Sequence, residues 1–493
     1  MPPRSAPCSM VANRSLNVAA GVLIAAVVAG CAAARPDEPD PAANPVPSAW
    51  QAPLPHGGTT AGLASWWAQF DDPALARLVA AAEAASPTVA SAASRIEQAR
   101  ATRTATGAAL LPGLDANASA SRGQQDITLP RGSTATAALQ ASWEIDVFGR
   151  NRAGRDAAQA RLEGAASGWH DARVAVAAET ATEYVNLRAC EARLAQARLD
   201  AASRAETSRL TDLSTKAGFE SRANAALARA GTSQSRASAT QQAEQCDQSV
   251  KALVALTAVA EPALRAMLGG AVARLPEPAS ITVPSVPAAA LAQRPDVFAR
   301  GRDVAAASAD VAQAKAARLP RVTLAGTVGV ERFEFDGGSL HGTTWTIGPV
   351  AVTLPLFDAG TRRANVDAAR ARYDEAASVY ASILRTAIRE VESALVTLQA
   401  TADRNADAQV AADQFDVYTR AVDARHRSGF ASLFELEEAR RNALVAQNAL
   451  IDLRRDRVAA WIALYRALGG GWTGADGGPF ATAEPADPSA PRQ

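Results

Sequence analysis

Two apolar periodicities take turns along the chain. Ala137, Leu139, Ala141, Trp143, Ile145 and Val147 alternate with Ala138, Gln140, Ser142, Glu144 and Asp146. Val322, Leu324, Gly326, Val328 and Val330 alternate in the same way with Arg321, Thr323, Ala325, Thr327 and Glu331. Period two is the mark of a strand with unlike faces. Leu114 to Arg122 and Thr343 to Leu356 complete the pairs, so the pattern predicts two strands within 114–147 and two within 321–356. Each run is about 9–13 residues, the length a tilted strand needs to cross a bilayer. A pair of soluble hairpins would carry the same alternation.

Between these stretches the period becomes helical. Segments 149–216 and 361–427 contain no proline. At ~1.5 Å per residue each predicts a helix on the order of 100 Å long. In the second, Val366, Ala369, Tyr373, Ala376, Tyr380, Ile383 and Ala387 follow heptad spacing and make one seam. Ala377, Leu384, Ile388, Leu395 and Leu398 mark another. Two seams predict a neighbour on each side, so the helix belongs in a wall whose remaining polar face can line water. A solvated antiparallel bundle needs only one seam. A return helix carries Leu436, Ala439, Ala443, Ala446, Leu450, Leu453, Ala460 and Leu464 on one stripe, which Arg457 breaks. Gly218 and Gly429 stand where the chain reverses, as glycine does at a helix stop. Both turns are predicted at the pole far from the strands.

The landmarks recur in one order at an offset of roughly 210 residues, which marks a duplication. Trp143 to Arg150 leads into Ala157-Ala158, and Leu354 to Gly360 leads into Ala368-Ala369; Lys216-Ala217-Gly218-Phe219 is answered by Arg427-Ser428-Gly429-Phe430. The predicted organisation is a first repeat over 63–271, a connector over 272–295 and a second repeat over 296–468. Each repeat reads helix, strand, strand, long helix, turn, return helix. Four strands cannot close a barrel, and an open edge in lipid leaves backbone groups without partners. If the strands cross a membrane, copies must combine. The smallest closed sets are about 8 strands from a dimer or about 12 from a trimer, and only the larger leaves a lumen.

The ends point to export. Leu16 to Ala29 is an apolar run too short to span a bilayer, preceded by Arg14 and ending Val28-Ala29-Gly30-Cys31. Residues 1–30 read as a signal peptide, and small residues before a cysteine resemble a lipobox, which implies acylation of Cys31. An ordinary signal peptide cut elsewhere is the alternative. Ala32, where an aspartate would retain the inner membrane, favours outer-membrane sorting. A Pro-rich lipidated linker over 31–62 and a disordered tail over 469–493 are expected.

Acidic and basic residues balance at 50 each, so no nucleic-acid footprint is visible. Alanine-rich composition with 5% aromatics suits long helices packed through small side chains. His56, His170, His341 and His426 fall in no metal-ligand spacing, and no phosphate-binding loop or nucleophile motif appears. No enzyme activity, cofactor or metal is expected. Cys190 and Cys246 lie equally far from Gly218, so an antiparallel hairpin turning there sets them at one height. An oxidising periplasm then predicts a disulfide; two buried thiols facing different neighbours are the alternative. Glu435 and Glu438 share a helix face beside the second turn. Repeated around an oligomer they would form an acidic ring that selects cations, or they serve a solvated helix start, where acids suit the dipole.

Taken together, Cys31, Trp66-Trp67-Ala68-Gln69-Phe70-Asp71-Asp72-Pro73, Leu111-Pro112, Ser142 to Arg150, Arg294-Pro295-Asp296-Val297, Leu319-Pro320, Leu354 to Gly360 and the two Gly-Phe turns make the chain resemble the TolC-like outer membrane factors of the NodT/OprM type. The resemblance covers nearly all of the mature chain. It implies a mainly α protein with a transmembrane β part: long antiparallel coiled-coil helices forming a periplasmic α-barrel, and four strands per chain in a homotrimer with a 12-stranded barrel in the outer membrane. It implies a passive exit duct for small compounds, with a periplasmic adaptor (membrane fusion) protein and an inner-membrane efflux pump as partners. Carboxylates past the second turn constrict the entrance in such proteins, and Glu435 and Glu438 stand there as glutamates where aspartates are usual. Ala217, Gly218, Phe219, Ser428, Gly429 and Phe430 match adaptor-contacting turns. The competing readings are a periplasmic adaptor, which would carry one helical hairpin and no duplicated strands, and a structural coiled-coil lipoprotein.

Overall fold

The computed structural model describes residues 46–47, 49–52, 54, 63–70, 72–124, 131–277 and 290–472. Cys31, the signal segment and the tail after Trp472 lie outside the described residues. The helices and strands are α1 (Pro73–Ala85), α2 (Pro87–Ala108), β1 (Gly113–Gly123), β2 (Gly132–Ile145), α3 (Arg150–Lys216), α4 (Arg222–Thr257), α5 (Glu261–Leu268), α6 (Pro295–Ala316), β3 (Arg321–Phe335), β4 (Gly338–Thr353), α7 (Thr361–Arg427) and α8 (Leu433–Ala467). α2 and α6 each have 22 residues, and α3 and α7 each have 67. Pro87 and Pro295 stand 208 residues apart, Arg150 and Thr361 211 apart. Two helices precede the first strand pair where the pattern predicts one. Pro87 begins a new helix, and Ser86 before it is extended (ψ 120°), as a residue preceding proline must be.

The chain divides into two compact units. The first comprises Glu97–Gly164 and Arg300–Tyr380; the second takes in Asn44–Ile96, Ala165–Ala299 and Ala381–Gln493.

The first unit holds one antiparallel sheet in the order β1-β2-β3-β4. Register places the apolar set on one face. Leu114 opposes Ala141 and Ala116 opposes Leu139. Leu139 in turn opposes Val328, and Trp143 opposes Leu324. Val328 faces Trp345, and Leu324 faces Val350. The other face is hydroxylic: Ser119 and Thr136 share a hydrogen bond of 2.7 Å, and Thr327 and Thr346 one of 2.8 Å. The alternation in β4 changes phase at Gly348-Pro349, where one extra residue forms a bulge opposite Leu324 and Gly326. Ile347, Val350 and Val352 therefore share a face although their spacing breaks period two. The strands differ from the predicted ranges. β3 runs on to Phe335 because backbone pairing continues past the apolar stretch, and β4 stops at Thr353, before Pro355, which cannot donate to a ladder. Val147 has left β2, because Asp146 already serves α3: its carboxylate accepts from the Asn151 and Arg152 amides at 3.1 and 2.8 Å. Asp358 does the same for α7 through Gly360 and Arg362, both 3.1 Å. The two Phe-containing motifs are thus matching strand-to-helix caps.

The second unit has a continuous apolar core. Trp66 stacks on Tyr465 with ring centroids 5.0 Å apart, and Trp67 and Phe70 pack on the same ring system. Burial pushes the Tyr465 hydroxyl up to about 12. Asp72 caps α1 through the Ala74 amide and also accepts from the Tyr184 hydroxyl. Arg188, fully buried, donates to Tyr184 Oη, Glu191 and the Leu268 carbonyl at 3.0, 2.8 and 2.9 Å. Arg294, buried too, joins Asp296, Glu390 and the Ala467 carbonyl at 2.7–3.0 Å. These two arginines carry paired charge into the core, which is tolerated only because each donor group has an acceptor.

Candidate channel entrance

The turn after each long helix is built in the same way. α3 ends with the Phe219 amide donating to the Ser214 carbonyl at 2.9 Å and the Gly218 amide to Thr215 at 3.1 Å. α7 ends with Phe430 donating to Arg425 at 2.8 Å and Gly429 to His426 at 3.0 Å. Both patterns are Schellman caps, and Gly218 and Gly429 take the left-handed conformation they demand, at φ +84° and +77°. His426 Nδ1, 3.0 Å from the Ala431 carbonyl, braces the second turn. Next, Ser221 caps α4 and Ser432 caps α8. The turns leave Phe219 and Phe430 85% and 77% exposed. Each repeat thus presents one aromatic ring at its turn.

Glu435 sits in a capping box: Ser432 Oγ accepts from the Glu435 amide, and the Glu435 carboxylate accepts from the Ser432 amide at 2.8 Å. That backbone bond holds the carboxyl below its ordinary pKa. Within one chain Glu435 thus fills the helix-start role, while Glu438 stands exposed one turn on.

Behind the tips lies an ion network that the periodicity gave no sign of. Arg440 on α8, 8% exposed, donates to Thr207 Oγ1 on α3 at 2.9 Å and to Glu437 at 3.2 Å. Its other nitrogen lies 3.3 Å from Asp423 on α7. Arg204 on α3 pairs with Asp200 and with Glu437, and its carbonyl accepts from Thr232 on α4 at 3.0 Å. Two guanidinium groups therefore tie three helices, α3, α7 and α8, and the Arg204 backbone carbonyl adds α4. The partners are as far as 233 residues apart in sequence, beyond the reach of local spacing. Further from the tips, Cys190 on α3 and Cys246 on α4 form a disulfide, with Cα atoms 5.5 Å apart. Gln242 Nε2 donates to the Cys190 sulfur at 3.0 Å. The second repeat has Thr401 and Arg457 at the corresponding places, 211 residues on.

Comparison with known proteins agrees with this architecture. A sequence model of the outer membrane efflux protein family matches residues 78–259 and 286–470. The chain is 30% identical to outer membrane protein OprJ of Pseudomonas aeruginosa over 91% of its own length and 95% of that protein. Among solved structures, the outer-membrane channel OprN superposes with a TM-score of 0.79 at 26% identity, over 89% of this chain and 99% of OprN. The CmeC outer membrane channel of Campylobacter jejuni superposes at 0.74 with 25% identity, over 87% and 90%. Since both repeats fall inside one family model and the whole fold is that of outer-membrane channels, the chain belongs to the outer membrane efflux protein family.

Proposed function

We propose that three copies of this outer-membrane efflux channel pool their sheets into a 12-stranded barrel and form the exit duct of a tripartite pump, anchored through an acylated Cys31. The observation that carries this reading is the sheet. Its outer strands β1 and β4 have no further partner among the described residues. Its apolar face exposes Trp345, Ile347, Val350 and Val352 by 63–85%. Such a sheet is stable in lipid only when neighbouring copies close the edges, and the hydroxylic face then lines water. Trimer closure leaves room for a lumen where eight strands would not.

The duct is passive, and a periplasmic adaptor and an inner-membrane pump supply the cargo and the energy. The exposed rings of Phe219 and Phe430, with Ala217, Gly218, Ser428 and Gly429, are the surface the adaptor grips. Glu438 and the capped Glu435 form the acidic ring at the entrance, and the Cys190–Cys246 bond clasps the first hairpin. In nonionic detergent the lipidated protein should run as a trimer unboiled and as a monomer after boiling. A monomer by sedimentation before boiling would overturn the reading. Neutralising Glu435 and Glu438 together should raise single-channel conductance in planar bilayers; unchanged conductance and cation preference would remove them from the gate.

A further inference from the structure

The second unit contains a cavity of about 1250 Å³, larger than the ~300–1,000 Å³ that usually holds a small ligand. It is distant in sequence from both tips, and its walls come from Phe70 and the start of α1, from α3, from the segment after α5, and from α7 and α8. Four arginines line it: Arg77, Arg274, Arg454 and Arg457. None makes an ion pair among the described residues. Arg77 Nε donates to the Pro73 carbonyl at 3.1 Å, and Arg454 to Gln409 at 2.6 Å. Among the described residues the side chains of Arg274 and Arg457 have no hydrogen-bond or ion-pair partner. This contrasts with Arg188, Arg294 and Arg440 in the same unit, each matched with carboxylates. Two acidic groups share the lining, Asp72 and Glu277. Asp72 is engaged by the Ala74 and Leu75 amides and the Tyr184 hydroxyl. The balance in the cavity is therefore positive.

Arg457 is the telling residue. It interrupts an apolar stripe whose other members, Leu453, Ala460 and Leu464, are buried, and it is half-buried itself. It occupies the place that Cys246 holds in the first repeat. A packed seam gains nothing from a guanidinium there, and a guanidinium with no acceptor is a standing invitation to an anion. Phe70, Leu275, Val458 and Trp461 give the same cavity an apolar side.

We propose that this cavity binds an amphiphilic anion: a small molecule whose aromatic or aliphatic body rests on Phe70, Val458 and Trp461 while its carboxylate, sulfonate or phosphate is held by Arg274 and Arg457. The site is separate from the tip carboxylates and does not depend on the duct reading. The test uses calorimetry on the full-length oligomer in nonionic detergent, with 1-naphthalenesulfonate as probe and uncharged 1-naphthalenemethanol as its comparator. The sulfonate binds, its affinity falls as salt rises, and the alcohol binds about tenfold more weakly or less, the scale of one lost charge contact. Arg457→Gln weakens the sulfonate by about tenfold or more, and so does Arg274→Gln, an exposed position where folding is not at issue. Arg300→Gln, paired with Asp303 in the other unit, leaves binding unchanged. Retention of the Cys190–Cys246 bond and of oligomer mobility checks the fold of each variant. Equal binding of sulfonate and alcohol, wild-type affinity in both arginine variants, or no uptake at all because a second copy fills the cavity would each overturn the proposal.

Discussion

Ser432 and Glu435 hold the first turn of α8 through two reciprocal bonds, and the sense of their pH dependence follows from the carboxyl's lowered pKa. A group with a depressed folded pKa stabilises above its ordinary value, here 4.5, and loses that contribution as pH falls through the folded value. The protection of amides 432–436, taken relative to their intrinsic exchange rate at each pH, should therefore be high at neutral pH and fall in acid, and Glu435→Gln should abolish the difference. Ser432→Ala should weaken the start of α8 by about 1 kcal/mol at neutral pH, read from the same amides. Asp171 behaves in the opposite sense. Burial and the nearby Asp296 raise its pKa, so its protonated form favours folding and that gain is lost as pH rises through the folded pKa. Asp171→Asn should raise the thermal midpoint at pH 7 and change it little in acid. The spacing of Glu435 and Glu438 was enough to place them on one helix face beside the turn. It could not reveal that one of them closes on Ser432, because a capping box and an acidic ring ask for the same residues at the same places.

At the scale of elements, the long helices, both Gly-Phe turns and the strand pairs were legible because each rests on local periodicity or on a single backbone demand. What escaped was what depends on distant chain. The bulge at Gly348-Pro349 hides behind a change of phase that reads, on its own, as the end of a strand. The Arg204 and Arg440 network needs helices from both repeats. Arg440→Ala would strip Glu437 and Asp423 of a partner in a mostly buried setting and should cost ~2 kcal/mol, discounted for the partial exposure of both acids. Thermal denaturation of the detergent-solubilised protein measures it. Within the sheet, a Cβ at Gly329 would come within 2.7 Å of the Ala137 carbonyl and of Ala138 Cβ. Gly329→Val should push β2 and β3 apart and lower the yield of heat-modifiable oligomer, whereas the same change at Gly342, with open space around it, should not.

The whole molecule carries the mark of its duplication in what its halves share and in where they part. Several heptad positions on α7, including Tyr373, Tyr380 and Ile383, are only half-buried in a single chain, and Val396, Val410 and Val417 are exposed. In a single subunit the first seam is thus only partly covered, while Leu384, Leu395 and Leu398 of the second are buried. Both halves run a long helix, a Schellman turn and a return helix of nearly equal length, yet only the first has its pair of legs riveted, by Cys190 and Cys246. Closing a loop of 56 residues stabilises the fold against unfolding by on the order of 4 kcal/mol in the chain-entropy description. The first pair is joined covalently, while the second is joined leg to leg by reversible contacts, Arg440 with Asp423 and Thr419 with the Ala439 carbonyl. Were that end to part, the ion pairs and hydrogen bonds between α7 and α8 could be remade in new places, whereas the covalent tie of α3 to α4 could not.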